Sequence, residues 1–129
     1  MHGTAETVPI TQIMTRSIVT AKADATVESL IELMTQHHVG CIPIVDEHDH
    51  PKCIVTKLDL IECRGDDRAT AREVMMPHAM VISPEASVAK AASLMSSEQI
   101  HHLLVVDRHR SLLGVVSSMD ITTWLAGQE

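Results

Sequence analysis

A mixed α+β fold, built from two copies of one small unit, is predicted by three observations. First, sliding the chain by 61 positions lays residues 12–60 on residues 73–121 without a gap. Met14 falls on Met75, Ala25 on Ala86, Val27 on Val88, Leu33-Met34 on Leu94-Met95, Val45-Asp46 on Val106-Asp107, Val55 on Val116 and Asp59 on Asp120. A register held this long marks a duplicated unit of about sixty residues. Second, each copy alternates between helical and strand spacing of its apolar residues. Third, Trp124 is the one aromatic side chain of the Phe, Trp and Tyr class, so the core must be aliphatic. The chain divides into a lead-in at 1–10, a first repeat at 11–63, a linker at 64–70 and a second repeat at 71–129.

The elements follow in order. Residues 1–10 carry little pattern and are expected to be a loose lead-in. Thr11–Met14 reads as a short helical turn, and Ser17 to Thr20 as a short strand. Thr26 then caps a helix whose Val27, Leu30, Ile31, Met34 and His38 share one face. Cys41 to Val45 is a continuous apolar run, hence a buried strand. Asp46 to Pro51 is a charged turn, Cys53 to Val55 a third strand, and Thr56 to about Cys63 a second helix. Arg64 to Thr70 is polar and charged, with Gly65 as a helix stop. Thr70–Met75 is another helical turn, with Thr70 and Glu73 spaced as a capping box. The second copy repeats the pattern at Met80–Ser83, Ser87–Glu98, Leu103–Val106, Leu113–Val116 and Ser117–Ala126. Each unit is therefore βαββα. Two helices cover one face of its sheet and leave the other apolar. Packing the two sheets together, with pseudo-two-fold symmetry, is the expected remedy. It would leave two related grooves.

Composition narrows the function. With 129 residues and 45% apolar content the chain is one compact domain or two small halves sharing a core. A net charge of −7, no basic stripe and no aromatic platform argue against a nucleic-acid partner. No apolar run approaches the roughly 18 residues of a membrane span, so no membrane partner is expected. Three cysteines and an N-terminus without a signal-peptide pattern favour reduced thiols and a cytoplasmic setting.

The chemistry concentrates where a strand meets a helix. Thr56 with Asp59, and Ser117 with Asp120, stand 61 residues apart. A hydroxyl and a carboxylate on the first turn of a helix make a small polar site beside unpaired backbone amides. An acceptor-only carboxylate suits a cis-diol, which offers two donors. Helix-start amides suit phosphate, and an apolar slot suits a flat base. Gly40 is expected to let backbone approach closely. The same Ser/Thr-x-x-Asp spacing is also a capping box serving its own helix, and the two roles can coexist.

Taken together these residues resemble the CBS domain, and the tandem resembles the CBS pair or Bateman module. The resemblance is carried by Ile13-Met14-Thr15 and Val74-Met75-Met76-Pro77, by His38-Val39-Gly40-Cys41-Ile42-Pro43-Ile44-Val45-Asp46 and by Ile100-His101-His102-Leu103-Leu104-Val105-Val106-Asp107. Ile54-Val55-Thr56-Lys57-Leu58-Asp59 and Gly114-Val115-Val116-Ser117-Ser118-Met119-Asp120 complete it, so that it covers roughly residues 12 to 125. It implies a regulatory sensor that binds an adenosine-containing ligand such as AMP, ADP, ATP or S-adenosylmethionine, has no catalysis of its own, and signals to a separate effector protein as a homodimer. One groove would use Ser117 and Asp120 with Val39, Gly40, Ile42 and Pro43, edged by Val19 and Thr20. The other would use Thr56, Lys57 and Asp59 with Ile100, His101 and Leu103, edged by Val81 and Ile82. The alternative is a structural or dimerisation module with degenerate grooves.

The copies differ in ways that bear on this choice. Cys53 stands where the second copy has Gly114, and family members usually carry Gly; Cys53 is expected to narrow the Thr56 groove. Leu104 replaces the usual Pro, which the first copy keeps as Pro43. His101 stands opposite Gly40, and Ser118 opposite Lys57. Basic groups thus favour the Thr56 groove for polyphosphates, and shape favours the Ser117 groove, the better expected site, for adenine. His37-His38 and His101-His102 are out of register and adjacent in sequence, so no metal site is expected. His48 and His50 read as a solvated turn tip. Cys41, Cys53 and the methionines read as core filler. No nucleophile–base pair or glycine-rich phosphate loop points to an enzyme.

Overall fold

The computed structural model describes residues 3–62, 68–74 and 80–128. It is an α+β structure whose chain falls into two packing units. One spans residues 18–79; the other joins residues 1–17 to residues 80–129. Each is built on the repeat, but neither coincides with it in sequence. Cys63, the expected helix stop Gly65 and the Met75-Met76-Pro77 stretch lie outside the described residues.

In the first unit, helix α1 (Val27–His37) starts on Thr26, whose side chain accepts a hydrogen bond from the Ser29 amide. Its Val27, Leu30 and Met34 are buried. They pack with Ile42 and Ile44 of strand β1 (Cys41–Val45) and with Cys53 and Val55 of strand β2 (Pro51–Thr56). The hairpin β1–β2 is antiparallel. Helix α2 (Lys57–Glu62) follows β2 directly. The apolar stripe of α1 is narrower than its spacing predicts. Ile31 is 44% exposed. His38 leaves the helix in the left-handed region, with φ 54°, and its amide donates to the Met34 carbonyl. It therefore ends α1 instead of joining the buried face.

The strand expected at Ser17 to Thr20 does not form. Only Ala21 bridges to Ile44 there: the Ala21 amide donates to Pro43 O at 3.1 Å and the Val45 amide to Ala21 O at 2.9 Å. The second unit shows the reason. There strand β3 (Val81–Ile82) runs parallel to strand β4 (His102–Val106), and the Leu104 amide donates to Met80 O at 3.0 Å. Pro43 stands at the place of Leu104 and has no N–H to give, so that rung of the ladder is missing in the first unit.

The second unit adds helix α4 (Val88–Glu98), strand β5 (Leu112–Ser117) and helix α5 (Ser118–Ala126). Its sheet runs β3-β4-β5. Contrary to the loose lead-in expected at 1–10, Val8 and Ile10 are core residues, packed with Met14 against Val88, Met95, Leu103 and Val116. The Ile10 amide donates to Ala86 O at 2.9 Å and the Val88 amide to Val8 O at 2.9 Å. Thr15 bridges to Val115 on the open side of β5, and Gly114 permits it. A Cβ on Gly114 would come within 2.8 Å of both Met14 Sδ and Thr15 O.

The segment before the second repeat does the same for the first. Ala69 is buried and its carbonyl accepts from the Val27 amide at 2.7 Å. Ala71 opens helix α3 (Ala71–Val74) and is fully buried in the first unit's core. Glu73 reaches back to the Thr70 amide at 3.4 Å and hydroxyl at 3.2 Å, the returning half of the expected capping box. Each core is thus completed by the chain segment that precedes the other repeat. Among the described residues no helix is long and apolar enough to cross a membrane.

Candidate functional site

Both polar turns form where the sequence places them, and both are capping boxes. In the second unit, β5 delivers Ser117 in extended backbone, and α5 begins at once. The Ser117 Oγ accepts from the Asp120 amide at 3.1 Å, and Asp120 Oδ2 accepts from the Ser117 amide at 2.8 Å. Among the described residues nothing donates to Asp120 Oδ1, and the Ser117 hydroxyl proton has no acceptor. The helix-serving role of the motif is therefore real, and it leaves half of the carboxylate and the hydroxyl donor unused.

The first unit repeats the arrangement with one difference. Asp59 Oδ2 accepts from the Thr56 amide at 2.8 Å and from the Thr56 hydroxyl at 3.0 Å. The return bond, from the Asp59 amide to Thr56 Oγ1, is long at 3.4 Å. Here the hydroxyl proton is directed at the carboxylate. Lys57, first residue of α2, is exposed.

The residue immediately before the strand that pairs with Thr56 or Ser117 closes the turn from the other side. The Lys57 amide donates to Gly40 O at 3.0 Å, and the Ser118 amide to His101 O at 2.9 Å. These bonds are equivalent under the 61-residue repeat. In the second unit the side chains join as well: Ser118 Oγ lies 3.4 Å from His101 Nδ1. His102 pairs with Ser117 across the sheet. Burial lowers the His102 pKa first, the neighbouring His101 lowers it further, and Asp120 opposes both. His102 was not among the site residues read from the sequence. Its counterpart in the first repeat is Cys41, which hid the signal; that signal was simply that His102 pairs with Ser117.

The remaining expected residues are distributed as follows. Val39 and Gly40 are half-buried at the entry to β1, and the space beside Gly40 is open, since an added Cβ would meet nothing within 4 Å. No described residue needs glycine there. Gly114 makes room for Met14 and Thr15. Ile42 and Leu103 are fully buried within the cores of their own units. Pro43 is buried too, while Val19 is half-buried and Thr20 exposed. Ile100 is half-buried and His101 exposed. Val81 and Ile82 line a cavity of about 570 Å³ together with Pro84, Val106 and Arg108. The Ser83 hydroxyl in its wall donates to Glu85, and this bond lowers the Glu85 pKa. Cys53 is buried, which raises its thiol pKa and makes it an inert core residue. Among the described residues no three His, Cys, Asp or Glu side chains converge as metal ligands.

Two repeats, αββα in the first unit and βαββα in the second, each with a strand leading into a Ser/Thr-x-x-Asp helix start, define a duplicated module. The chain belongs to the CBS domain family: the CBS domain model matches it twice, over residues 10–66 and 71–127. The CBS domain-containing protein YhcV of Bacillus subtilis strain 168 is 33% identical over 112 residues, covering 84% of this chain and 79% of that protein. The uncharacterized protein MK0525 of Methanopyrus kandleri is 28% identical over 119 residues, covering 88% of this chain; the chain spans 61% of that protein's length. Among solved structures, the CBS domain pair of protein MJ0100, crystallised with 5′-methylthioadenosine and S-adenosyl-L-methionine, superposes with a TM-score of 0.89. It is 25% identical, and the match covers 95% of this chain and 98% of that one.

Proposed function

We propose that this chain is a regulatory module that binds an adenosine-containing ligand at its Ser/Thr-x-x-Asp turns and passes occupancy to an effector protein. AMP, ADP, ATP and S-adenosylmethionine are the candidate ligands. One observation carries the reading: Asp120 completes the cap of α5 with Oδ2 alone, leaving Oδ1 as an acceptor beside the Ser117 hydroxyl. A ribose cis-diol supplies the donors that such a carboxylate lacks. The first turns of the helices supply amides for phosphate. The adenosine ligands of the MJ0100 domain pair support the same ligand class. The Ser117 turn is the better site, because at the Thr56 turn the hydroxyl already donates to Asp59.

The module acts as a homodimer, and its signal is a population shift. Ligand alters the partner only by as much as its affinity differs between the two conformations. Isothermal titration with AMP, ADP, ATP, NADH and S-adenosylmethionine tests the proposal. Saturable binding of at least one is expected, and silence from all five removes it. Asp120→Asn keeps a cap acceptor but removes the charge, and it should weaken binding at least about tenfold, equivalent to about 1.4 kcal/mol.

A structural module is the second reading. It draws on the same caps, since both carboxylates are already employed by their own helices, and on the departures Cys53, His101 and Leu104. Under that reading Asp120→Ala destabilises α5 by about 1 kcal/mol and changes no ligand response.

A further inference from the structure

We propose that the cavity at the carboxyl end of β3 and β4 is a second site, one that takes a free α-amino acid with an aliphatic side chain. It is independent of the adenosine reading, because the Ser117 turn meets β4 at its opposite end, at His102. The cavity measures about 570 Å³ and is formed within the second unit alone. Small-molecule pockets span about 300 to 1,000 Å³. Val81, Ile82, Pro84 and Val106 make an apolar wall, and Glu85, Asp107 and Arg108 a charged rim. Among the described residues neither Glu85 nor Arg108 forms an ion pair, with the other or elsewhere.

The first repeat carries its own occupant at the equivalent place. There Lys22 stands where the second repeat has Ser83, and its Nζ donates to Asp46 O at 2.8 Å and lies 3.7 Å from Asp49 Oδ1. Asp46 O also accepts the Asp49 amide at 3.1 Å, so both of its lone pairs are used. In the second repeat Asp107 O accepts the Arg110 amide at 3.0 Å and, among the described residues, no side chain. Ser83 has no ammonium to offer and turns its hydroxyl to Glu85. Val81 and Ile82 replace Thr20 and Ala21, and Arg108 replaces Glu47. Val106 is half-buried, whereas its counterpart Val45 is buried. The second repeat has thus exchanged a built-in ammonium for an apolar wall and a guanidinium. The molecule that completes it brings an ammonium for Asp107 O and Glu85, a carboxylate for Arg108 and an apolar tail for the wall. Those three groups together are an aliphatic amino acid. The Ser83 hydrogen bond lowers the Glu85 pKa and so keeps this carboxylate charged. The one hydrogen bond of Arg108 among the described residues runs from Nε to His109 Nε2 at 3.4 Å, so its terminal nitrogens can grip a carboxylate in two places.

The test is an amide NMR titration of the whole chain with L-leucine, L-valine and L-methionine. Saturable shifts are expected for at least one of them at Val81–Glu85 and Val106–Arg108. Leucinamide lacks the carboxylate and isocaproate lacks the amine. Each should bind at least about tenfold more weakly than leucine, because each leaves one charge of the rim unanswered. Arg108→Gln should erase the preference for leucine over leucinamide, and Glu85→Gln the preference for leucine over isocaproate. Both side chains are exposed, so thermal unfolding should change little in either variant. Ser83→Lys restores the ammonium of the first repeat and should abolish leucine binding. Silence from all three amino acids, shifts confined to the Ser117 turn, equal affinity for leucine and its two analogues, or leucine binding that survives Ser83→Lys each overturns the proposal. All four outcomes leave the adenosine reading standing.

Discussion

Arg110 has φ 67° and Asp49 has φ 61° in the equivalent hairpin turns, so each places a side chain in the left-handed region. Asp tolerates this region better than Arg, whose Cβ crowds the following carbonyl. Arg110→Gly should therefore stabilise the chain by roughly 0.5 to 1 kcal/mol, read as a rise in the urea midpoint; an unchanged or lower midpoint would show that the turn is not strained. Three residues earlier in the chain, Asp46 and Asp107 each hold a pair of backbone amides. Asp46 accepts from His50 and His48, Asp107 from Ser111 and His109, and these bonds lower both carboxylate pKa values. A depressed carboxylate contributes stability above its unfolded pKa, lost as pH falls through the folded value. His102 works in the same direction at higher pH: its lowered pKa means that acid must force a charge onto a half-buried ring, so stability falls as pH drops below about 6.5. Urea midpoints between pH 3 and pH 8 should thus decline in two stages. Replacing Asp46 and Asp107 by Asn should flatten the lower stage, and His102→Gln the upper.

Elements show where the repeat is exact and where it breaks. Helices α1 and α4 are each 11 residues long, are capped by Thr26 and Ser87, and end at His38 and Gln99 with φ 54° in both. The break lies in the strands. Pro43 removes the amide that would have fixed a strand before Ala21, while Leu104 keeps it and β3 forms. β5 gains an extra contact on its far edge because Gly114 has no side chain. Gly114→Ala should cost about 1 to 3 kcal/mol, since the intruding methyl meets the Thr15 carbonyl and not only the flexible end of Met14. Amide exchange at Val115, whose N–H donates to Thr15 O at 3.0 Å, should quicken in this variant. Undisturbed exchange would show that the segment adjusts without leaving β5.

At the scale of the whole molecule, sequence repeat and folded unit are different things. The core containing Val88, Leu103 and Val116 is finished by Val8, Ile10 and Met14, and the core containing Leu30, Ile42 and Val55 by Ala69 and Ala71. A fragment cut at the repeat boundary, residues 71–129, should therefore lack three core side chains and melt without a cooperative transition in circular dichroism. A peptide of residues 3–17 added in excess should restore one. A sharp transition from the fragment alone would mean that the lead-in only decorates the unit. The same exchange explains why residues 1–10 read as patternless: two core residues, Val8 and Ile10, set no period, and only the surface they meet gives them a role.

Local chemistry was legible because it is local. The duplication, the caps at Thr26 and Ser87, the buried strand at Cys41–Val45 and the Ser/Thr-x-x-Asp turns all depend on residues a few positions apart, whose hydrogen bonds the chain makes with itself. The sequence by itself determined the family, the repeat and the two carboxylates. Only the tertiary structure decided that Gly114 serves the backbone of Thr15, that Ile42 and Leu103 face inward, and that His101 reaches Ser118. Those outcomes turn on which distant segment fills a space, and close packing is settled by neighbours that no spacing rule brings together.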